Sequence, residues 1–131
     1  MGKAYGMRKK VPYSYEEAIG KVTEALKKEG FGILTEINVK ETLKKKIDKD
    51  FKKYIILGSC NPDLAFQALS HEEEMGLLLP CNVIIFENDR HETIVSIQDP
   101  DIFLSIVGDN KALYPIAKTA KEKLSRVVAS L

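Results

Sequence analysis

Two uninterrupted apolar, β-prone runs, Tyr54 to Leu57 and Val83 to Phe86, do most to limit what this chain can fold into. A strand with one face in water alternates apolar and polar side chains, whereas a run that is apolar at every position belongs inside a sheet. Tyr54 to Leu57 is therefore an interior strand, brought to its end by Gly58, Ser59 and Cys60. Val83 to Phe86 is followed by turn residues in ENDRH and then by Ile94, Val95 and Ile97, which stop at Asp99 and Pro100. That pattern predicts a hairpin.

The remaining segments supply two further strands and the helices. Residues 4 to 11 form a basic edge strand closed by Pro12. Ser14 and Glu17 make a capping box, and Tyr15, Ala18, Ile19, Val22, Ala25 and Leu26 share one face until Gly30 stops the helix. Phe31, Ile33 and Ile37 have the same parity, which predicts a strand over 32 to 38 with one buried face. Asn38 and Glu41 open a lysine-rich surface helix whose apolar positions are Val39, Leu43 and Ile47.

Asn61 as N-cap and Pro62 as first helical residue start a helix through Leu64, Ala65, Ala68 and Leu69. A short helix, DIFLSIV, precedes a long one with Leu113, Ile116, Ala117, Ala120, Leu124, Val127, Val128 and Leu131 on one stripe. Crossovers mixed with a hairpin predict an α+β fold, a mixed or largely antiparallel sheet with helices packed on it. A length of 131 residues matches one domain with one core.

Charge and cysteine usage narrow the function classes. Twenty basic against nineteen acidic residues leave a net charge of +1, so no overall field favours nucleic acid or an anionic membrane. No apolar run approaches the roughly 20 residues that span a bilayer, and MGKAYGMRKK has no signal-peptide core, which predicts a cytoplasmic protein. Only Cys60 and Cys81 are present, and in a reducing cytosol both are thiols.

Several motifs fail on inspection. Gly30-Phe31-Gly32 lacks the third glycine of a dinucleotide fingerprint. His71-Glu72 lacks a second histidine, because position 75 is Met, and His91 falls in the hairpin turn. Lys40, Lys44, Lys45, Lys46, Lys49, Lys52 and Lys53 could contact phosphates, but the cluster holds no arginine and little aromatic surface, as a solvated helix face would.

The cysteines carry more chemistry. Cys60 precedes a helix N-terminus, where amide N–H groups and the helix dipole favour a thiolate and would lower its pKa. Cys81 begins a strand after Pro80. If the two strands are neighbours, both sulfurs reach one end of the sheet beside Asn61 and Asn82, a setting for a soft metal, thiol exchange or a small ligand. Inert packing of both thiols is the alternative.

The segments GFGILTEINVKETLKKKI, YIILGSCNPDLAFQAL, GLLLPCNVIIFE and VSIQDPDIF, in this order and spacing, resemble the domain-of-unknown-function 302 family from about residue 10 to the end. The resemblance implies a compact α+β domain similar to a TATA-binding-protein-like half with a curved antiparallel sheet. It also implies a tendency to form homodimers and no established activity. Its pattern singles out Glu36, Cys60, Asn61, Pro62, Cys81, Asn82, Asp99 and Pro100.

The resulting expectation is a dimeric module that binds a small ligand or a metal near the two Cys-Asn pairs, with Glu36 and Asp99 among the candidate ligand-binding residues. A thiol-based redox enzyme or sensor using Cys60 and Cys81, and a nucleic-acid or protein adaptor using the lysine face, are the alternatives. The residues name no cofactor and no substrate.

Overall fold

A computed structural model describes residues 5–131. Five strands, β1 (Gly6–Val11), β2 (Gly32–Asn38), β3 (Tyr54–Cys60), β4 (Cys81–Glu87) and β5 (Thr93–Gln98), form one sheet in the order β1-β5-β4-β3-β2. Every neighbouring pair is antiparallel. The basic strand is an edge strand as expected, and position 4, included in that expectation, lies outside the described residues.

Five helices accompany the sheet: α1 (Tyr15–Lys28), α2 (Val39–Ile47), α3 (Pro62–His71), α4 (Asp101–Val107) and α5 (Tyr114–Ser130). The local start signals act as the sequence predicts. Ser14 and Glu17 form the reciprocal capping box of α1, Asn38 caps α2, and Asn61 caps α3 with Pro62 in its first turn. No residue of α2 is buried, so its three apolar side chains serve a surface helix.

One face of the sheet carries the main core. Ile55 and Leu57 of β3, Val83 and Ile85 of β4, and Val95 and Ile97 of β5 pack there against Ala18, Val22 and Leu26 of α1 and Leu124 and Val127 of α5. Burying such a side chain contributes about 1.5 to 3 kcal/mol, so this layer holds α1 and α5 on the sheet. Lys9 reaches the same side from β1 and donates from Nζ to the carbonyls of Val128 (3.2 Å) and Leu131 (2.6 Å). A cation there meets the negative end of the α5 dipole. A second cluster, Ala68, Met75, Cys81, Phe103 and Leu113, lies under α3 and α4.

Two strand expectations are corrected. β3 does not end at Gly58: its pairing continues through Gly58–Asn82 and Ser59–Cys81 on one side and Gly32–Cys60 on the other. Gly58 stays in the strand because it lacks a side chain, since a Cβ would collide with Thr35 and come within 2.9 Å of Pro80 Cγ. In β2, the single buried face breaks down. The register shifts between Ile33 and Thr35, so Ile33 opposes Ser59 toward the core while Ile37 opposes Ile56 on the other face, 47 % exposed. A β-bulge adds one residue to one strand and reverses the parity beyond it.

Candidate functional site

β3 and β4 are paired neighbours, so the two cysteines do come to one end of the sheet. Cys81 stands opposite Ser59, with Cys60 one residue further along β3. Both cysteines border a cavity of about 40 Å³ lined by residues of α3, α5 and the ends of β3 and β4. Its apolar walls include Phe31, Ala68, Met75, Phe103, Leu113 and Ala117. A volume above the 10 to 15 Å³ that admits one water can also take a small apolar group.

The polar side chains at this cavity are mostly committed. Ser59 Oγ donates to the Cys81 carbonyl at 2.8 Å. Asn61 Oδ1 accepts from the Leu64 N–H at 3.2 Å, and Asn61 Nδ2 donates to the Glu29 carbonyl at 3.4 Å, tying the end of α1 to the start of α3. Among the polar side chains lining the cavity, only the two thiols lack such a bond.

The expected thiolate is corrected. Burial raises the pKa of Cys60, and Cys81 is pushed up to about 11, first by burial and then by the nearby Cys60. The helix start is occupied by Asn61, whose carboxamide takes the Leu64 N–H, and desolvation outweighs the remaining dipole. Both sulfurs are therefore neutral, poor nucleophiles and poor metal ligands as they stand. No group of three or more His, Cys, Asp and Glu side chains with metal-ligand geometry occurs among the described residues.

The other sequence candidates lie apart from the cavity. Asn82 follows Cys81 and is exposed, with its N–H donating to Gln98 Oε1 at 3.4 Å. Glu36 is exposed on edge strand β2, opposite Leu57. Asp99 is a strut: its carboxylate accepts from Lys121 Nζ at 2.8 and 2.7 Å and from the Asp101 N–H at 3.0 Å, joining the end of β5 to α4 and α5.

Three lysines of the cluster are paired with carboxylates within the protein. Lys44 pairs with Asp48 and Asp50, Lys52 with Asp89 and Lys53 with Glu16, while Lys40 donates to the Phe51 carbonyl. Sequence reasoning did not find the apolar walls of the cavity. Phe31, Ala68, Met75, Phe103 and Ala117 come from separate elements, and as helical or strand-entry apolar residues they carry no mark of a site.

Comparison with known proteins agrees with the fold. No curated protein matches the chain. A solved structure described as that of an uncharacterized conserved protein DUF302 from Bacillus stearothermophilus is similar, with a TM-score of 0.88 and 27 % identity over 97 % of this chain and 98 % of that one. No helix among the described residues is long and apolar enough to cross a membrane. The family described as Domain of unknown function DUF302 matches residues 7–131, and the chain belongs to that family.

Proposed function

We propose that the protein is a binding module for a small, uncharged and largely apolar ligand, held in the cavity bordered by Cys60 and Cys81. One observation carries the reading: an apolar recess whose unbonded polar side chains are two neutral thiols. Such walls favour transfer of an apolar group from water and offer nothing to compensate a charge. The thiols make weak donors and soft contact surfaces for that group. Thiol catalysis and metal binding have less support, since both need sulfurs that lose their protons easily. An adaptor role for the lysine face has less support as well, because several of its charges already have partners.

Xenon, followed by methyl NMR, tests the reading. Saturable shifts are expected at Leu64, Ala65, Ala68 and Met75, and Ala117→Leu, which fills the space from α5, should abolish them while the circular dichroism stays native. Absence of shifts at these methyls, or shifts unaffected by Ala117→Leu, would remove the proposal.

A further inference from the structure

The two most exposed large apolar side chains among the described residues lie close together in sequence, Leu77 at 81 % and Phe66 at 74 %, and Leu69 between them is 41 % exposed. α3 turns Ala68, Leu64 and Ala65 toward the protein, which leaves Phe66 and Leu69 on its outer side. Asp63, Phe66, Leu69 and Glu72 follow at three-residue spacing and form one ridge along α3 and its C-cap. The chain then enters a 3-10 segment, Glu73–Leu77, which Met75 anchors in the cluster with Ala68 while Leu77 stays outside. Charge here has one sign. No lysine or arginine lies between Lys53 and Arg90, although the chain has twenty. Asp63, Glu73 and Glu74 are exposed, Glu72 accepts only the Glu74 N–H, and none of the four belongs to an ion pair among the described residues. Neither core cluster accounts for Phe66, Leu69 or Leu77. Large apolar side chains rimmed by charge are the mark of an interaction surface.

We propose that this face docks a basic amphipathic helix of another protein, its aliphatic side chains on Phe66, Leu69 and Leu77 and its lysines or arginines beside Asp63, Glu73 and Glu74. Charge complementarity selects that occupant. Carboxylates without an internal partner attract a cationic segment and set its orientation, while Phe66 supplies an aromatic anchor for its apolar side. From Asp63 to Glu72 the ridge is about 14 Å long at 1.5 Å per residue, room for two to three turns of a helix that presents anchors at i, i+3 and i+4. An anionic bilayer or a nucleic acid is repelled by the same carboxylates. A second copy would have to offer α2, its own lysine-rich helix, where Lys44 is already held by Asp48 and Asp50. The cavity lies on the opposite side of α3, against Leu64, Ala65 and Ala68, so docking here stands independently of the ligand reading.

Backbone amide NMR with a synthetic helix of leucine and lysine, about 14 residues long and patterned to be amphipathic, tests the proposal. Saturable shifts are expected to centre on residues 63 to 77, with affinity in the micromolar to millimolar range of a small interface and weaker at high salt. A peptide with glutamate in place of lysine, and one of lysine without leucine, should each bind more than about tenfold more weakly, because each keeps only one half of the complementarity. Phe66→Ser and Leu77→Ser, two separate exposed positions, should each reduce affinity several-fold, as should Glu73→Gln combined with Glu74→Gln. Circular dichroism identifies any variant that fails to fold, and the others then decide. Shifts centred elsewhere, equal binding of the acidic peptide, or folded variants that bind like wild type would overturn the proposal. Concentration-dependent self-association abolished by Leu77→Ser, or binding to vesicles of neutral phosphatidylcholine through these residues, would overturn it too, since a second copy or a membrane would then be the occupant.

Discussion

Ser59 and Cys81 stand directly opposite each other across the β3–β4 ladder, and the fully buried Ser59 hydroxyl donates to the Cys81 carbonyl over 2.8 Å. This bond supplements the ladder at the edge of the cavity. Ser59→Ala should cost about 1 kcal/mol in urea unfolding, the net worth of one buried hydrogen bond. An unchanged midpoint would show that the hydroxyl contributes nothing to this junction.

Cys81 makes stability depend on alkaline pH. Its folded pKa of about 11 lies above the ordinary 9.0, so the native state holds the proton after the unfolded chain has begun to release it. The contribution is complete below pH 9 and is lost as pH rises toward 11, by roughly 2 to 3 kcal/mol. Burial also raises the Tyr15 pKa above 10.0, which adds a further loss at higher pH. Denaturant unfolding of wild type and Cys81→Ala between pH 8 and 11 should show a shallower decline in the variant. Parallel curves would mean that Cys81 is not the group responsible.

The two Cys-Asn pairs should behave differently. Asn61→Ala removes the cap of α3 and the bond to the Glu29 carbonyl, at a cost of about 1 to 2 kcal/mol. Asn82→Ala, at an exposed position, should stay within about 0.5 kcal/mol of wild type. Equal losses in thermal unfolding would contradict this assignment.

Ending the chain before Ala120 removes Leu124 and Val127, 0 % and 1 % exposed, together with the partly buried Val128 and Leu131. Lys9 loses its carbonyl partners and Asp99 loses Lys121 in the same step. At about 1.5 to 3 kcal/mol for each buried aliphatic, the loss consumes most of a typical stability of about 5 to 15 kcal/mol. The truncated chain should show collapsed NMR dispersion, and a cooperative melt would place the core elsewhere.

Most element boundaries were legible because their causes are local. Ser14 with Glu17, Asn38 with Glu41, and Asn61 with Pro62 each act within one helical turn, so sequence alone locates α1, α2 and α3. The stripe from Leu113 to Leu131 likewise locates α5, and the turn ENDRH locates the β4–β5 hairpin. Neither the β2 bulge nor the continuation of β3 through Gly58 is local. Both depend on which atoms face the strand from its neighbour, Thr35 above all.

The sequence by itself determined the α+β class, the helix starts, the hairpin and the presence of two strands apolar on both faces. Tertiary structure alone decided that Cys60 and Cys81 share a cavity, that Asp99 is tied up by Lys121, and that Ile37 joins Ile56 and Ile84 on the uncovered face. The division follows from reach. Caps and periodicity act over three or four residues, whereas cavity walls, pKa values and exposed faces depend on which distant segments pack together.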